Sequence, residues 1–379
     1  MTEWISGSVD DFCEVEYGTR VTRKRDGGTK YPVYGGGGAT FFLDDFNRQD
    51  QMIVSRFAMS EECVRFVSGK FFLNDSGLTV RTRDASKMSQ DFLDQLLLAR
   101  SNEIYATARG TAQKNMDMTM FRGMEITFPD SLKEQKRIVE LLDAATVRIT
   151  ELAACYEEAR THSNNLFMSA LQGALESNPD RPVRTLGDIC RIEMGRTPSR
   201  GDSKGWDKAF KTTNHWASIA DLTACNGRVL TSTKERISDY AAKTTKVVPA
   251  GTLMMSFKLS IGKLAFAGCD LYTNEAIAAF HLHEESGVDS DFLYWALSVV
   301  DWSALTKGSE KVKGATMNKA KLNLLEIPVP SLDEQKRIVA RLDSMRVKTS
   351  EMVAAYDDKL QAAKDLRQSI LEVAFAGDL

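Results

Sequence analysis

The chain has 379 residues, enough for two or three domains at roughly 100–200 residues each, and each would be long enough to bury a core without disulfide or metal staples. Lys and Arg number 49 against 52 Asp and Glu, a net charge of −3 that excludes a uniformly basic coat, while 43% hydrophobic residues exclude general disorder. Any site for nucleic acid must therefore be local.

No run approaches the roughly 20 apolar residues of a membrane-spanning helix, and the opening Met-Thr-Glu-Trp-Ile-Ser lacks a basic stretch followed by an apolar one. A cytoplasmic protein without a membrane partner is expected. The six cysteines (Cys13, Cys63, Cys155, Cys190, Cys225, Cys269) form no CxxC pair and only four histidines accompany them, so reduced thiols are expected rather than a structural zinc.

In chain order, residues 1–130 read as a first globe of Gly-rich turns, short β-branched or aromatic runs such as Gln51–Ser55, and a helical stretch at Asp91–Arg100. Residues 131–178 read as one long helix. A linker, Glu176-Ser-Asn-Pro-Asp-Arg-Pro182, leads into a second globe over 179–330, with a run at Gly251–Ser256 and a helical stretch at Asp291–Val300, and residues 331–379 read as a second long helix. The fold class expected is α+β (mixed α/β): two globes and two long helices.

This architecture is an internal repeat. Ser131-Leu-Lys-Glu-Gln-Lys-Arg-Ile-Val139 returns 200 residues later as Ser331-Leu-Asp-Glu-Gln-Lys-Arg-Ile-Val339, and the match continues through Leu142/Leu342, Asp143/Asp343 and Tyr156/Tyr356. Upstream, Phe66/Phe266 and Asn74/Asn274 keep that offset. Asp11-x-Cys13-x-x-Glu16-x-Gly18 recurs as Asp188-x-Cys190-x-x-Glu193-x-Gly195 at an offset of 177, so the 23 extra residues of the second copy lie between Gly195 and about residue 253.

Each helix opens with Ser-x-x-Glu, the pattern of a capping box. In the first, Ile138, Leu142, Ala145, Ile149, Leu152, Tyr156 and Ala159 follow a 4–3 spacing that marks a coiled-coil seam, and Ile338, Leu342, Met345, Thr349, Met352 and Tyr356 repeat its phase. The natural partners are each other. With a rise of about 1.5 Å per residue each helix could reach roughly 65–70 Å, the length of a spacer. Antiparallel pairing about a pseudo-two-fold axis is expected, with the globes at opposite ends.

Candidate chemistry is sparse. Asp130 with Glu134-x-Lys136 superficially resembles a nuclease carboxylate set, but the second copy has Ser331 where the first has its Ser after Asp130, with Pro330 in the Asp position, and keeps Glu334 inside the same helix start. The glycine run Gly35–Gly38 lacks a following Lys-Ser/Thr, and the histidines lack zinc-enzyme spacing. Positive charge is more informative. Only the second globe is basic, with 20 Lys and Arg against 17 Asp and Glu. Arg20, Arg23, Lys24, Arg25 and Lys30 stand beside Tyr31 and Tyr34. Arg196, Arg200, Lys204, Lys208 and Lys211 stand beside Trp206, Phe210 and Trp216. Basic residues interleaved with aromatics suit phosphates and base edges, and a solvated loop is the alternative that composition leaves open. Arg109-Gly110 and Lys313-Gly314, with Lys307 and Lys311, recur just before the strand leading to each helix.

These features together resemble the specificity subunit of type I restriction-modification systems. The duplicated Leu-x-Glu-Gln-Lys-Arg-Ile-Val, Gly195-Arg-Thr-Pro198, Trp216-x-x-Ile-x-Asp221-Leu222, Gly251-Thr-Leu-x-x-Ser256 with Ile261-Gly262-Lys263, Thr273-Asn274-Glu-Ala-Ile277 and the ending Ala374–Leu379 carry the likeness over essentially the whole chain. The first half departs at Lys30-Tyr-Pro-Val-Tyr-Gly35, itself similar to a variant of the target-recognition domain. The resemblance implies a chain without catalysis of its own. Two target-recognition domains would each read half of a bipartite sequence in double-stranded DNA. The helices would fix the gap and dock methyltransferase subunits, with restriction and translocase subunits joining through the complex. No cofactor would bind this chain; S-adenosylmethionine, ATP and Mg would sit on the partners. A self-sufficient nuclease or methyltransferase, and a coiled-coil scaffold without DNA, are the competing classes.

Overall fold

The computed structural model describes residues 3–176, 180–202, 204–225, 228–306 and 315–376. The chain divides into two compact units, Met1–Ala159 with Ala355–Leu379, and Arg160–Ala354. Both are built in the same order. A strand, Trp4–Ser8 or Val183–Thr185, pairs antiparallel with the strand that leads into the long helix, Glu125–Pro129 or Glu326–Pro328. A four-residue helix, Val9–Phe12 or Leu186–Ile189, then hands the chain to the edge strand of a sheet, Cys13–Tyr17 or Cys190–Met194.

In the first unit that sheet runs Cys13–Tyr17, Gly77–Thr82, Arg48–Ser55, Val64–Leu73, Tyr31–Tyr34, Phe41–Leu43. In the second, five strands run Cys190–Met194, Ile277–Leu282, Leu253–Ser256, Leu264–Ala267, Val229–Leu230, and a separate sheet runs Glu235–Arg236, His215–Ala217, Tyr272–Thr273. One parallel pairing occurs in the same place in both. Val33 and Tyr34 face Phe72 and Leu73, as Trp216 and Ala217 face Tyr272 and Thr273. The divergent openings of the two globes therefore lead to one shared strand.

Each letter of the duplicated Asp-x-Cys-x-x-Glu-x-Gly motif has a physical task. Asp11 and Asp188 close capping boxes with Ser8 and Thr185. Cys13 and Cys190 are buried in the two cores. Glu16 collects Arg48 (3.3 Å) and Arg81 (3.5 Å), and Glu193 collects Lys246 (2.8 Å) and His281 (3.4 Å). Gly18 and Gly195 lie so close to the backbone of Asn74 and Thr273 that a Cβ would stand 1.9 Å from a carbonyl oxygen, so no side chain fits at either position.

At the second helix start the Ser331 hydroxyl accepts from the Glu334 N–H (3.4 Å), half of the capping box expected, but the two glutamates turn elsewhere. Glu134 turns forward to Arg137 (2.6 Å), and Glu334 accepts from Arg181 (2.7 Å). The next residue does the locking. Gln135 is fully buried; its amide donates to the carbonyls of Lys87 (2.7 Å) and Pro129 (2.8 Å) and its oxygen accepts from the Ser89 N–H (2.8 Å). Gln335 does the same with Gly287 (2.9 Å), Pro330 (2.8 Å) and Asp289 (2.8 Å). Ser89 and Asp289 are in turn the N-caps of Gln90–Ala99 and Ser290–Ser298, whose apolar faces fill the two cores.

The long helices, Leu132–Glu176 and Leu332–Ala376, pack antiparallel. In the first unit Ile138 and Leu142 share a core with Ile370, Leu371, Ala374 and Phe375, and in the second Leu171 and Leu175 share one with Ile338 and Leu342. Near the helix midpoints Tyr156 meets its own repeat, Tyr356, at 6.3 Å between rings, with the Lys359 ammonium 5.2 and 5.7 Å from the two. Ile149 and Met345 are half-buried along the same face. The spacing is not heptad throughout. Leu152 and Met352, placed in the seam by the 4–3 count, are 43% and 47% exposed, and Ala153 and Val353 turn inward instead. From Leu142 to Ala153 the inward face takes eleven residues for three turns, the relaxation expected of a nearly straight helix.

Replacing Gln335 by Leu strands one N–H and two carbonyls in the interior. Unfolding in urea, followed by tryptophan fluorescence, should lose about 2–4 kcal/mol; a loss under about 1 kcal/mol would show that the glutamine is not a lock.

Candidate nucleic-acid interface

In the second unit, residues 196–211 wrap around two tryptophans. Trp206 and Trp216 stand edge to face at 4.9 Å, 9% and 2% exposed, and their indole N–H groups donate to the carbonyls of Ser199 and Arg196, both at 3.1 Å. This corrects the expectation that they face DNA. Both are interior residues that shape the loop. Arg200 lies over them, its guanidinium carbon 4.0 Å from the Trp206 ring and 5.2 Å from that of Trp216, and is paired with Glu235.

What remains outward is basic. Arg196, Arg200, Lys204, Lys208 and Lys211 are all exposed. The strand pairing of His215–Ala217 with Glu235–Arg236 brings in Lys234 and Arg236, so that four cations, Arg200, Lys208, Lys234 and Arg236, border one open cleft over Trp206 with Phe210 and two carboxylates, Asp207 and Glu235. Lys234 and Arg236 escaped the sequence reading because they lie about 25 residues beyond the cluster, and only strand pairing places them beside it. The Trp216-x-x-Ile-x-Asp221 pattern is a frame device: buried Asp221 closes a capping box with Ser218 and accepts from the Lys234 N–H (2.9 Å).

In the first unit the corresponding segment is looser. Arg20, Lys24 and Lys30 are exposed, Arg25 pairs with Asp26 (2.8 Å), and Arg23 donates to the Thr40 carbonyl. Tyr34 packs inward, 5.6 Å from Phe71, whereas half-buried Tyr31 contacts Phe46 at 5.1 Å. The ammonium of Lys70 lies 4.5 Å from the Phe46 ring, adding a cation and an aromatic that the sequence did not flag. Arg109 is exposed and pairs with Asp117 (2.9 Å), away from this group in sequence and strand order. Lys307, Lys311 and Lys313 lie outside the described residues.

The interior offers little chemistry. Among the described residues no cluster of His, Cys, Asp and Glu could hold a metal ion. Burial pushes the Cys13 and Cys190 thiols up to about 12, the wrong direction for nucleophiles. Burial also depresses His215 and His281, in the latter against the opposing pull of Glu193. No described helix is long and apolar enough to cross a membrane. The arrangement suits binding of an anionic surface.

Trp216→Ala should lower the unfolding free energy by about 3–5 kcal/mol, as for other large-to-small core changes. Arg200→Ala, removing an exposed ion pair, should cost less than about 1 kcal/mol. Comparable losses in chemical denaturation would contradict the division into interior frame and exposed cations.

The family described as the type I restriction modification DNA specificity domain matches residues 1–154 and 180–358. Among named relatives, the EcoR124I/EcoR124II specificity subunit of Escherichia coli is 28% identical over 234 residues, 59% of this chain and 54% of that protein. The EcoBI specificity subunit of the same species is 25% identical over 311 residues, 81% and 62%. The MjaIX specificity subunit of Methanocaldococcus jannaschii is 26% identical over 201 residues, 51% and 41%. The chain thus spans 41–62% of the length of these relatives. Among solved structures, a chain from work on the assembly and conformational transition of a type I restriction-modification system superposes with a TM-score of 0.78 at 21% identity, covering all of both chains. The HsdS subunit of Thermoanaerobacter tengcongensis gives 0.54 at 21% identity, covering 99% of this chain and 97% of that one. The chain belongs to the type I restriction modification DNA specificity domain family.

Proposed function

We propose that this chain is the DNA sequence-specificity subunit of a type I restriction-modification complex, each globe reading one half of a bipartite site. The observation that carries this is the pairing of a repeated frame with unlike outer loops. Asn74/Asn274 and Gln135/Gln335 make the same contacts in both units and Gly18/Gly195 press on the carbonyls of Asn74 and Thr273, one position apart in the repeat, while the basic and aromatic residues differ just where the two copies differ in length. A protein that reads two different half-sites needs a constant frame and variable contacts. The exposed cations would take phosphates and base edges, and three of them, Arg200, Lys208 and Lys234, border the cleft over Trp206.

The antiparallel helices would set the half-site gap and dock the methyltransferase subunits, with a restriction and translocase subunit joining through them. Catalysis, with S-adenosylmethionine, ATP and Mg, would belong to those partners. A near-neutral net charge fits a protein that shares its phosphate contacts with others.

Adenine methylation mapped across the genome of a host lacking other type I systems tests the reading. A two-part motif should appear only when this chain and its methyltransferase subunits are both expressed; methylation without this chain, or none with both, would overturn it. In the same assay, one heptad inserted at equivalent places in both helices adds about 10 Å and should widen the gap by about three base pairs. Replacing Lys204, Lys208 and Lys211 by Ala should weaken DNA binding by the complex and flatten its dependence on salt, and an unchanged slope would exclude these lysines from the interface.

A further inference from the structure

Among the described residues, four non-glycines have left-handed backbone: Asp50, Ala58, Phe210 and Leu259. Asp50 sits at a bulge and accepts from Gly69, Ala58 is small, and Leu259 is held in a strand pair. Phe210 has none of these reasons. It is bulky, has φ of 53°, and stands 51% exposed at the tip of an irregular loop. A large aromatic residue in this conformation is a true outlier, and such strain persists only where surrounding contacts impose it.

The contacts are present. The Asp207 carboxylate accepts from the Thr212 N–H (2.6 Å), closing the loop on itself, and the Phe210 N–H donates to the Asp207 carbonyl (3.3 Å). Arg236 donates to the carbonyls of Phe210 (3.1 Å) and Thr212 (2.7 Å), and the Thr212 hydroxyl donates to the Ile237 carbonyl (2.9 Å). The guanidinium of Arg236 lies 5.2 Å from the Phe210 ring. Lys208 and Lys211, both exposed, flank the ring in sequence. The loop is thus braced to present an apolar ring between cations, at the edge of the basic cleft.

We propose that Phe210 is an apolar reading element that wedges against or between base pairs of the half-site bound by the second unit, while Lys208 and Lys211 hold the adjoining phosphates. This rests on the DNA-reading function proposed above. Wedge residues of this type discriminate by the cost of unstacking a base step, not by charge.

The test uses the complete complex of this chain with its methyltransferase subunits and a randomised 40-base-pair duplex pool, comparing wild type with Phe210→Gly and Phe210→Trp. Glycine tolerates the left-handed backbone, so Phe210→Gly should fold with an unchanged or higher melting temperature. It should bind the selected duplex about tenfold more weakly, with an unchanged salt slope, and lose base preference within one half-site only. Phe210→Trp should retain that preference. The inference is overturned if Phe210→Gly selects the same motif, if its weakening comes with a flatter salt slope, or if its melting temperature falls. A wild-type complex that selects no motif would instead defeat the DNA-reading function itself.

Discussion

A buried glutamine with every hydrogen-bonding atom in use governs this structure. An amide side chain in an apolar interior is tolerable only when its donors and acceptor are all matched, and Gln135 and Gln335 meet that condition by binding three backbone groups each, on two separate segments. Those segments are the strand exit and the loop that ends in the N-cap of a core helix. One side chain therefore fixes the direction in which each long helix leaves its unit. Everything that depends on helix direction, including the antiparallel seam, follows from that local satisfaction.

Around this lock the two copies preserve roles more than residues. Gln95 donates to Asp143, and at the equivalent place Trp295 donates to Asp343, which also holds Arg228. Arg228 in turn lies 4.3 Å from the Tyr294 ring, so the second unit builds a cation–aromatic cluster where the first has an amide. The carboxylate hubs diverge likewise: two arginines serve Glu16, but an arginine, a lysine and a histidine (Arg191, Lys246 and His281) serve Glu193. Burial works to raise the Glu193 carboxyl, yet its cationic neighbours prevail and hold it below the ordinary range.

The frame was legible in the sequence because repetition exposes it. The offset pairs Gly18/Gly195, Asn74/Asn274 and Gln135/Gln335 all prove to be backbone-directed contacts, for which few residue types will serve. The seam was legible in its phase but not in its drift, since Leu152 and Met352 look apolar enough for the core and only the real helical pitch turns them outward. The outer loops were legible as composition alone. Trp206 and Trp216 were interchangeable with exposed aromatics until their indole partners were visible, and Lys234 and Arg236 carried no local signal because strand pairing, not sequence proximity, brings them to the cleft.

The meeting of Tyr156 with Tyr356 constrains how such a chain can change over time. Each helix faces its partner in reverse order about these tyrosines, so an insertion in one helix alone would leave pairs on one side matched and displace those on the other. Length can change without loss of register only when both helices gain or lose the same number of residues at equivalent places. Isolated insertions should therefore be purged in the helices even though outer loops of the two globes differ freely in length, and the molecule is conservative in its spacing for the same reason that it is permissive in its loops.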